Sequence, residues 1–138
     1  MSIIGFAKEF ASRGFNIFVI SRTESKLQAL CSELESEYQV STRYLPKDFT
    51  KAYESEFFED IYKNTEDIDI SVLINNVGMV NMKSHPDAKK DDIKDVITVN
   101  TYSQALLSHE FLNRMLKREN RSAIIDMSSF SGGKPVSV

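Results

Sequence analysis

The 138-residue sequence predicts an α/β protein built on a doubly wound parallel sheet. Three observations support this class: short apolar runs typical of buried strands, amphipathic segments of helical period, and regular alternation between the two. Such alternation implies a parallel sheet with helices on both faces. The predicted order is α-β-α-β-α-β-α-β, whereas a doubly wound fold normally begins with a strand. We therefore expect an incomplete sheet whose first strand is absent.

The first half of the chain predicts two helices, each followed by a strand. A short helix is expected over residues 6–13 and ends at Gly14, because glycine readily adopts the left-handed conformation. The apolar run 16–20 indicates a strand, and residues 40–45 a second one. Between them, apolar side chains recur at helical spacing over residues 23–38. These side chains are Leu27, Leu30, Cys31, Leu34 and Tyr38.

The second half predicts two further helices and two strands. Thr50 is expected to cap a helix with Tyr53, Phe57 and Ile61 on one face. Strands are expected over residues 70–75 and 122–127. Residues 90–118 show a long helical pattern with allowance for a kink. Asn100 lies on its apolar stripe, which is formed by Ile93, Val96, Ile97, Leu107 and Phe111.

Composition excludes several classes of protein. The chain is 41% hydrophobic and 27% charged, an ordinary globular balance that is compatible with one domain over residues 1–138. A net charge of −3 with dispersed basic residues gives no basis for nucleic-acid binding. Neither His residue has metal-ligand spacing with the single Cys31, so we expect no metal site and no internal disulfide. Because no apolar run reaches the ~20 residues of a membrane span, we expect a soluble or peripherally attached chain.

Ligands in open α/β sheets bind beyond the carboxyl ends of the strands, so polar residues there are candidates. Ser21 and Arg22 follow the first strand. An Arg at this place suits the 2′-phosphate of NADP, whereas an acidic residue would suit the ribose of NAD. The alternative is a surface Arg beside a helix start. Asp48 follows the next strand and either accepts from an adenine amino group or serves as a turn residue.

Each of the later candidates also has two interpretations, one functional and one structural. Asn75 and Gly78 end the third strand, where they either let the backbone approach a ribose or form a simple turn. Asn100 on an apolar helix face needs a polar partner, because burying an unpaired amide costs roughly 1–3 kcal/mol. A neighbouring carbonyl would suffice. Ser129 follows the last strand and either holds a substrate carbonyl or marks a strand-to-loop transition.

Taken in order, these residues resemble the short-chain dehydrogenase/reductase superfamily over essentially the whole chain. The ordered features are a basic residue, an Asp, Asn-Asn-x-Gly, a mid-helix Asn and Ser-Ser. The closer resemblance is to the branch of very-long-chain 3-oxoacyl-CoA reductases and 17β-hydroxysteroid dehydrogenases, carried by residues 5–10, 20–23, 47–50 and 75–78. Val77, where most of the superfamily has Ala, is the most branch-specific feature. The resemblance implies a partial Rossmann-like dinucleotide-binding domain.

The resemblance also implies a set of cofactor-binding residues. Arg22 would contact the NADP phosphate, Asp48 the adenine, and Asn75 would line the pocket and steady its strand. Ile3 stands where the family's Gly-rich loop has its middle Gly, and a branched side chain there would hinder close approach to the pyrophosphate. The full set is Gly5, Ser21, Arg22, Asp48, Asn75 and Gly78.

The implied catalytic residues are Ser129 and Asn100. Ser129, rather than Ser128, would hydrogen-bond the substrate oxygen, and Asn100 would hold a water of the proton relay through a locally bent helix. The family's Tyr-x-x-x-Lys motif supplies the proton donor, and its Lys lowers the pKa of its Tyr. No tyrosine in this sequence has a Lys four residues later. We therefore expect the chain alone to be inactive and to lack both the front of the fold and its C-terminal portion.

The expected function of the complete protein is NADPH-dependent reduction of a lipid or steroid carbonyl. The substrate would be a long-chain 3-oxoacyl-CoA, as in fatty acid biosynthesis, or a ketosteroid. The alternative is a catalytically inactive homologue or fragment that acts as a binding or interaction module. The resemblance further implies an endoplasmic reticulum location and a possible homodimer of the complete protein.

Overall fold

The computed structural model describes residues 3–81 and 85–129, and it confirms the α/β class. Within these two ranges, four strands alternate with helices, and the strand pairings are parallel. The strands form two two-stranded sheets. The chain divides into two compact units, Met1–Phe49 and Thr50–Val138, and each unit contains one of the sheets.

The first unit contains α1 (Ile3–Ser12), β1 (Ile17–Ser21), α2 (Glu24–Tyr38) and β2 (Thr42–Pro46). β1 and β2 pair in parallel, from Ile17 opposite Thr42 to Ser21 opposite Pro46. Gly14 ends α1 with a φ of +83°, as the sequence predicts. Gln39 ends α2 with a φ of 56°, which is a left-handed position occupied by a residue other than glycine.

The core of the first unit forms under the apolar stripe of α2. Leu27, Leu30, Cys31 and Leu34 are all buried, and Leu34 is 0% exposed. They join buried residues of α1 and β1, and each fully buried leucine contributes roughly 1.5–3 kcal/mol. The stripe is confirmed, with Tyr38 half-buried at its end. β1 is less covered than predicted, since only its central Val19 is buried.

The second unit contains α3 (Ser55–Lys63), β3 (Val72–Asn75), α4 (Lys90–Ile97), α5 (Ser103–Met115) and β4 (Ala123–Asp126). β3 and β4 pair in parallel, from Val72 opposite Ala123 to Asn75 opposite Asp126. None of the helices within the described ranges is long and apolar enough to cross a bilayer.

The predicted start of the third helix is wrong. A 3₁₀ turn occupies Phe49–Lys51, and α3 begins at Ser55, so Thr50 is not its cap. Tyr53 lies before the helix and is 46% exposed, with the Lys94 ammonium 3.2 Å from its ring centre. This cation–π contact holds the ring outside the core. The predicted buried positions Phe57 and Ile61 are confirmed.

The long helical pattern is interrupted by a π-helical turn at Thr98–Tyr102, between α4 and α5. The allowance for a kink is therefore confirmed. The predicted stripe is only partly correct: Ile93 and Ile97 are exposed, while Val99 is 3% exposed. A π-turn contains more residues than an α-turn, so it rotates the helix faces on its two sides relative to each other. After it, buried positions recur at Ser103, Leu107, Phe111 and Met115.

Arg118 links the residues that precede the two strands of the β3–β4 sheet. Its Nε and Nη2 atoms bind the two Asp69 carboxylate oxygens at 2.5 and 2.8 Å, and its Nη1 donates to Ser122. Asp69 precedes β3 and Ser122 precedes β4. The Arg118 hydrogen bond holds the pKa of Asp69 below its ordinary value.

Candidate functional site

Two predicted cofactor residues share one edge of the first unit. Ser21 ends β1, and its carbonyl accepts from the Lys47 N–H at 2.9 Å. The hydrogen bonding between the two strands therefore continues one residue past β2. Arg22 and Asp48 follow directly, and both are exposed. Because carboxyl ends of parallel strands meet at one edge, a guanidinium and a carboxylate are presented there together.

Gly5 lies in the first turn of α1, two residues after the helix begins. α1 packs against β1, and a short connection joins them, so the two elements run in opposite directions. Ten helical residues and five strand residues are both about 15–16 Å long. This geometry places the Gly5 end of α1 beside the Ser21 end of β1. Ile3 is part of the helix and half-buried.

Asn75 anchors the corresponding edge of the second unit. It is 3% exposed, and its Nδ2 donates to Ser108 Oγ at 2.8 Å and to Asp126 Oδ1 at 2.7 Å. One amide therefore joins the end of β3 to α5 and to the end of β4. The predicted role of Asn75 toward the cofactor stays a prediction.

Asn100 lies in the π-turn, and its side chain binds the backbone N–H and carbonyl of one residue in the loop after β3. Its Oδ1 accepts from the Met79 N–H at 2.8 Å, and its Nδ2 donates to the Met79 carbonyl at 2.7 Å. The Asn100 amide is therefore hydrogen-bonded to backbone groups. This agrees with the interpretation in which a neighbouring carbonyl satisfies the amide. The role of Asn100 in a proton relay stays a prediction.

Gly78 is exposed and precedes that anchored residue. An added Cβ would lie 3.6 Å from Asn100 Oδ1, which is ordinary van der Waals distance, and its φ lies outside the left-handed region. On the other side of Gly78, the Val77 carbonyl accepts from Gln104 Nε2 at 3.0 Å.

Sequence reasoning missed Gln104, Ser108 and Asp126. A signal for the first two exists, because residues 100, 104 and 108 are polar and follow each other at one helical turn. Asp126 carries no comparable signal, since its contact with Asn75 depends on the pairing of β3 with β4.

Ser129 follows β4 by three residues and is exposed. The Met127 N–H donates to the Asn75 carbonyl at 2.9 Å, so the chain leaves the sheet at the edge where Asn75 ends β3. Ser129 therefore belongs to the same edge as Asn75. Its predicted role in holding a substrate oxygen stays a prediction.

The described residues offer no competing site of greater chemical promise. No group of three metal-ligating side chains occurs within them. Cys31 is buried in the core, as predicted. A shallow hollow of about 250 Å³ lies between the end of α5 and the start of β4, lined in part by Leu112, Leu116 and Ile124. It is at the amino end of β4, away from the Asn75 edge.

The sequence profile of the short chain dehydrogenase family matches residues 4–138. Among curated proteins, the chain is 33% identical over 138 residues to the very-long-chain 3-oxoacyl-CoA reductase of Meyerozyma guilliermondii. It is 35% identical over 134 residues to the human inactive hydroxysteroid dehydrogenase-like protein 1. These alignments cover 94% of this chain but 40% and 39% of those proteins. The chain thus spans about 40% of the length of these curated relatives.

Solved structures confirm the partial Rossmann-like doubly wound fold. A short-chain dehydrogenase from Sphingobium yanoikuyae, in complex with NADPH, superimposes with a TM-score of 0.85 at 28% identity. The match covers 96% of this chain and 51% of that one. A 7β-hydroxysteroid dehydrogenase also gives a TM-score of 0.85, at 24% identity, over 94% of this chain and 49% of that one.

Proposed function

This chain belongs to the short-chain dehydrogenase family of oxidoreductases, and we propose on that basis that it is the cofactor-binding part of an NADPH-dependent carbonyl reductase. The proposed substrate is a long-chain 3-oxoacyl-CoA or a ketosteroid. The names of the relatives support this choice, since they include very-long-chain 3-oxoacyl-CoA reductases and hydroxysteroid dehydrogenase-like proteins. The chain would accordingly serve lipid metabolism.

One observation carries the choice of NADP: an exposed Arg22 directly after β1, at the edge it shares with Asp48. A guanidinium offers several donors in a planar fork, which fits a phosphate monoester. NAD-binding members of this fold use an acidic residue in this region to bind the ribose hydroxyls. We assign Arg22 and Ser21 to the 2′-phosphate and Asp48 to the adenine amino group. The Gly5 end of α1 lies at the same edge and would face the pyrophosphate.

In the second unit, we assign Asn75 and Gly78 to cofactor binding. When bound, NADPH would supply the hydride for reduction of the substrate carbonyl. Ser129 would donate a hydrogen bond to the carbonyl oxygen and hold it in place. The amide of Asn100 is engaged with Met79, so we propose that Asn100 holds a relay water through its main-chain carbonyl. A π-turn interrupts the regular helical pairing of such carbonyls.

The proton donor of the family is its Tyr-x-x-x-Lys motif, which these 138 residues do not contain. We therefore propose that this chain alone binds the nucleotide without completing the reduction. An endoplasmic reticulum location and a homodimer of the complete protein are further proposals from the family resemblance.

A second candidate function is a non-catalytic binding module. One observation favours it: the 35% identity to a relative named as inactive. The first candidate predicts nucleotide binding by the chain, whereas failure to bind NADPH would support the second. The two candidates also differ in whether the complete gene product, with every residue that precedes and follows this stretch, reduces a 3-oxoacyl-CoA at the expense of NADPH.

The test is a fluorescence titration of the 138-residue chain with NADPH and NADH. We expect Arg22→Ala to weaken NADPH binding by about 10- to 100-fold, because a charged hydrogen bond is worth roughly 1.5–3 kcal/mol. NADH binding should be unchanged. Arg13→Ala is a matched control, since Arg13 is an exposed arginine of the same unit paired with Glu9. Equal loss for both nucleotides, or loss for neither, would refute the assignment of Arg22.

A further inference from the structure

Three polar side chains, one from the π-turn and two from α5, bind three alternate residues of the segment 75–79. Asn100 binds both peptide groups of Met79, Gln104 donates to the Val77 carbonyl, and Ser108 accepts from Asn75. The helix residues are four apart, and the segment residues are two apart in the reverse direction. We call this set of contacts the polar ladder.

The spacing of the polar ladder follows from the rise of its two elements. Four helical residues advance about 6 Å, and two extended residues advance about 6.6 Å. The spacing of the three contacts along the helix therefore matches a spacing of two residues along an extended backbone. Beyond Asn75, where pairing with β4 ends, Gln104 and Asn100 hold the loop of residues 76–79 through its backbone.

Gly78 lies between two residues of the polar ladder, Val77 and Met79, and is exposed. Its neighbours on both sides are fixed, at Val77 by Gln104 and at Met79 by Asn100. The protein's own packing would admit a Cβ at Gly78, at 3.6 Å from the nearest atom, and its φ does not demand glycine. A held and exposed backbone with no side chain is what close approach of a ligand requires.

We propose that Gln104 is a positioning residue for the cofactor, and that it acts by holding the loop of residues 76–79. This inference rests on the proposed function, in which Gly78 borders the nicotinamide nucleotide. Without its donor, the Val77 peptide can rotate, and the Gly78 backbone is then no longer held against the nucleotide. Gln104 thus fixes a surface that both NADPH and NADH would use, unlike Arg22, which would distinguish between them.

The experiment compares Gln104→Met with Asn113→Met in the 138-residue chain. The first change keeps side-chain length and removes the donor. The second is the same kind of change at an exposed asparagine of α5. Two readouts are used: amide hydrogen exchange by NMR, and affinity for NADPH and for NADH.

We expect Gln104→Met to speed exchange of the Met79 N–H by about three- to tenfold, with β3 amides unchanged. Both nucleotides should bind more weakly by a similar factor. Asn113→Met should alter neither readout. A merely structural role would speed exchange in β3 and in the loop together.

Unchanged exchange at Met79 would overturn the inference. Altered exchange with unaltered affinity for both nucleotides would overturn the role toward the cofactor. Should the wild-type chain bind neither nucleotide, the proposed function fails, while the exchange data still decide whether Gln104 holds the loop. If Gln104→Met does not fold, Gln104→Glu replaces it, because a carboxylate of the same shape cannot donate to the Val77 carbonyl.

Discussion

Replacing Asn75 with Asp tests how strongly one buried amide holds the sheet edge together. The change is isosteric, but it removes both donors and brings a carboxylate to within about one hydrogen-bond length of Asp126, because Asn75 Nδ2 lies 2.7 Å from Asp126 Oδ1. Asn75 is 3% exposed, so the new charge is largely shielded from water. The variant should therefore be destabilised, and the size of the effect should depend on pH.

The magnitude follows from two contributions, because the Ser108 hydroxyl can donate to the new carboxylate and keep a hydrogen bond. Losing the charged bond to Asp126 costs about 1.5–3 kcal/mol. Repulsion between two carboxylates about 4 Å apart costs roughly 1 kcal/mol in water and 4 kcal/mol near a protein surface. Because Asp126 is exposed, we take about 2 kcal/mol. The total is about 3.5–5 kcal/mol at pH 8.

Acid should relieve part of this loss. The pair of carboxylates raises the folded-state pKa of the introduced group above its unfolded value of about 3.9. Stability contributed by such a group is present below the unfolded pKa and is lost as the pH rises through the folded pKa. The deficit should therefore be smaller at pH 5 than at pH 8, by about 2–3 kcal/mol.

The assay is urea unfolding followed by circular dichroism at pH 5 and pH 8. Asn113→Asp adds the same charge at an exposed place on α5 and should change the free energy of unfolding by less than about 0.5 kcal/mol. A deficit for Asn75→Asp below about 1 kcal/mol, or one that is equal at both pH values, would refute the reasoning.

Three further predictions concern other parts of the chain. The Asp69 carboxyl should titrate by NMR below its usual range, and Arg118→Met should raise its pKa, since the Arg118 hydrogen bond is the largest cause of the shift. The stabilisation from this pair is present above the unfolded-state pKa of Asp69 and is lost as the pH falls through the folded pKa; an unmoved titration would contradict this. Gly14→Ala should cost about 1 kcal/mol in urea unfolding from its φ of +83° alone, because no atom of the described residues lies within 4 Å of the added Cβ. Leu34→Ala removes a side chain that is 0% exposed and should cost about 3–5 kcal/mol, and a loss under 1 kcal/mol would show that the first-unit core is wrongly placed.

Local sequence patterns predicted a helix well where its apolar stripe or its terminating residue determines it. The α2 stripe around Leu34 and the stop at Gly14 depend on periodicity and on backbone freedom, and both are confirmed. Thr50 was misjudged as a cap because an N-cap residue type also occurs in 3₁₀ turns. The exposure of Ile97 could not be foreseen, since a regular helical period carries no information about an inserted π-turn.

The candidate site was predictable as a set of residues but not as a set of contacts. The positions of Arg22 and Asn75 follow from where strands end, which the sequence indicates. The partners of Asn100 and Gln104 are backbone groups of residues 77–79, more than 20 positions away. Which backbone group meets which side chain depends on how α5 packs against β3. That packing is a tertiary property, and the sequence pattern alone does not encode it.

The central claim is that the residues at the carboxyl edges of the strands bind a nicotinamide nucleotide. The most direct test is an NMR titration of the 138-residue chain with NADPH, following assigned backbone amides. We expect shifts at Arg22, Asp48, Gly78 and Met79, and none at Leu116 beside the hollow at the amino end of β4. Shifts confined to the surroundings of Leu116, or none at millimolar NADPH, would contradict it.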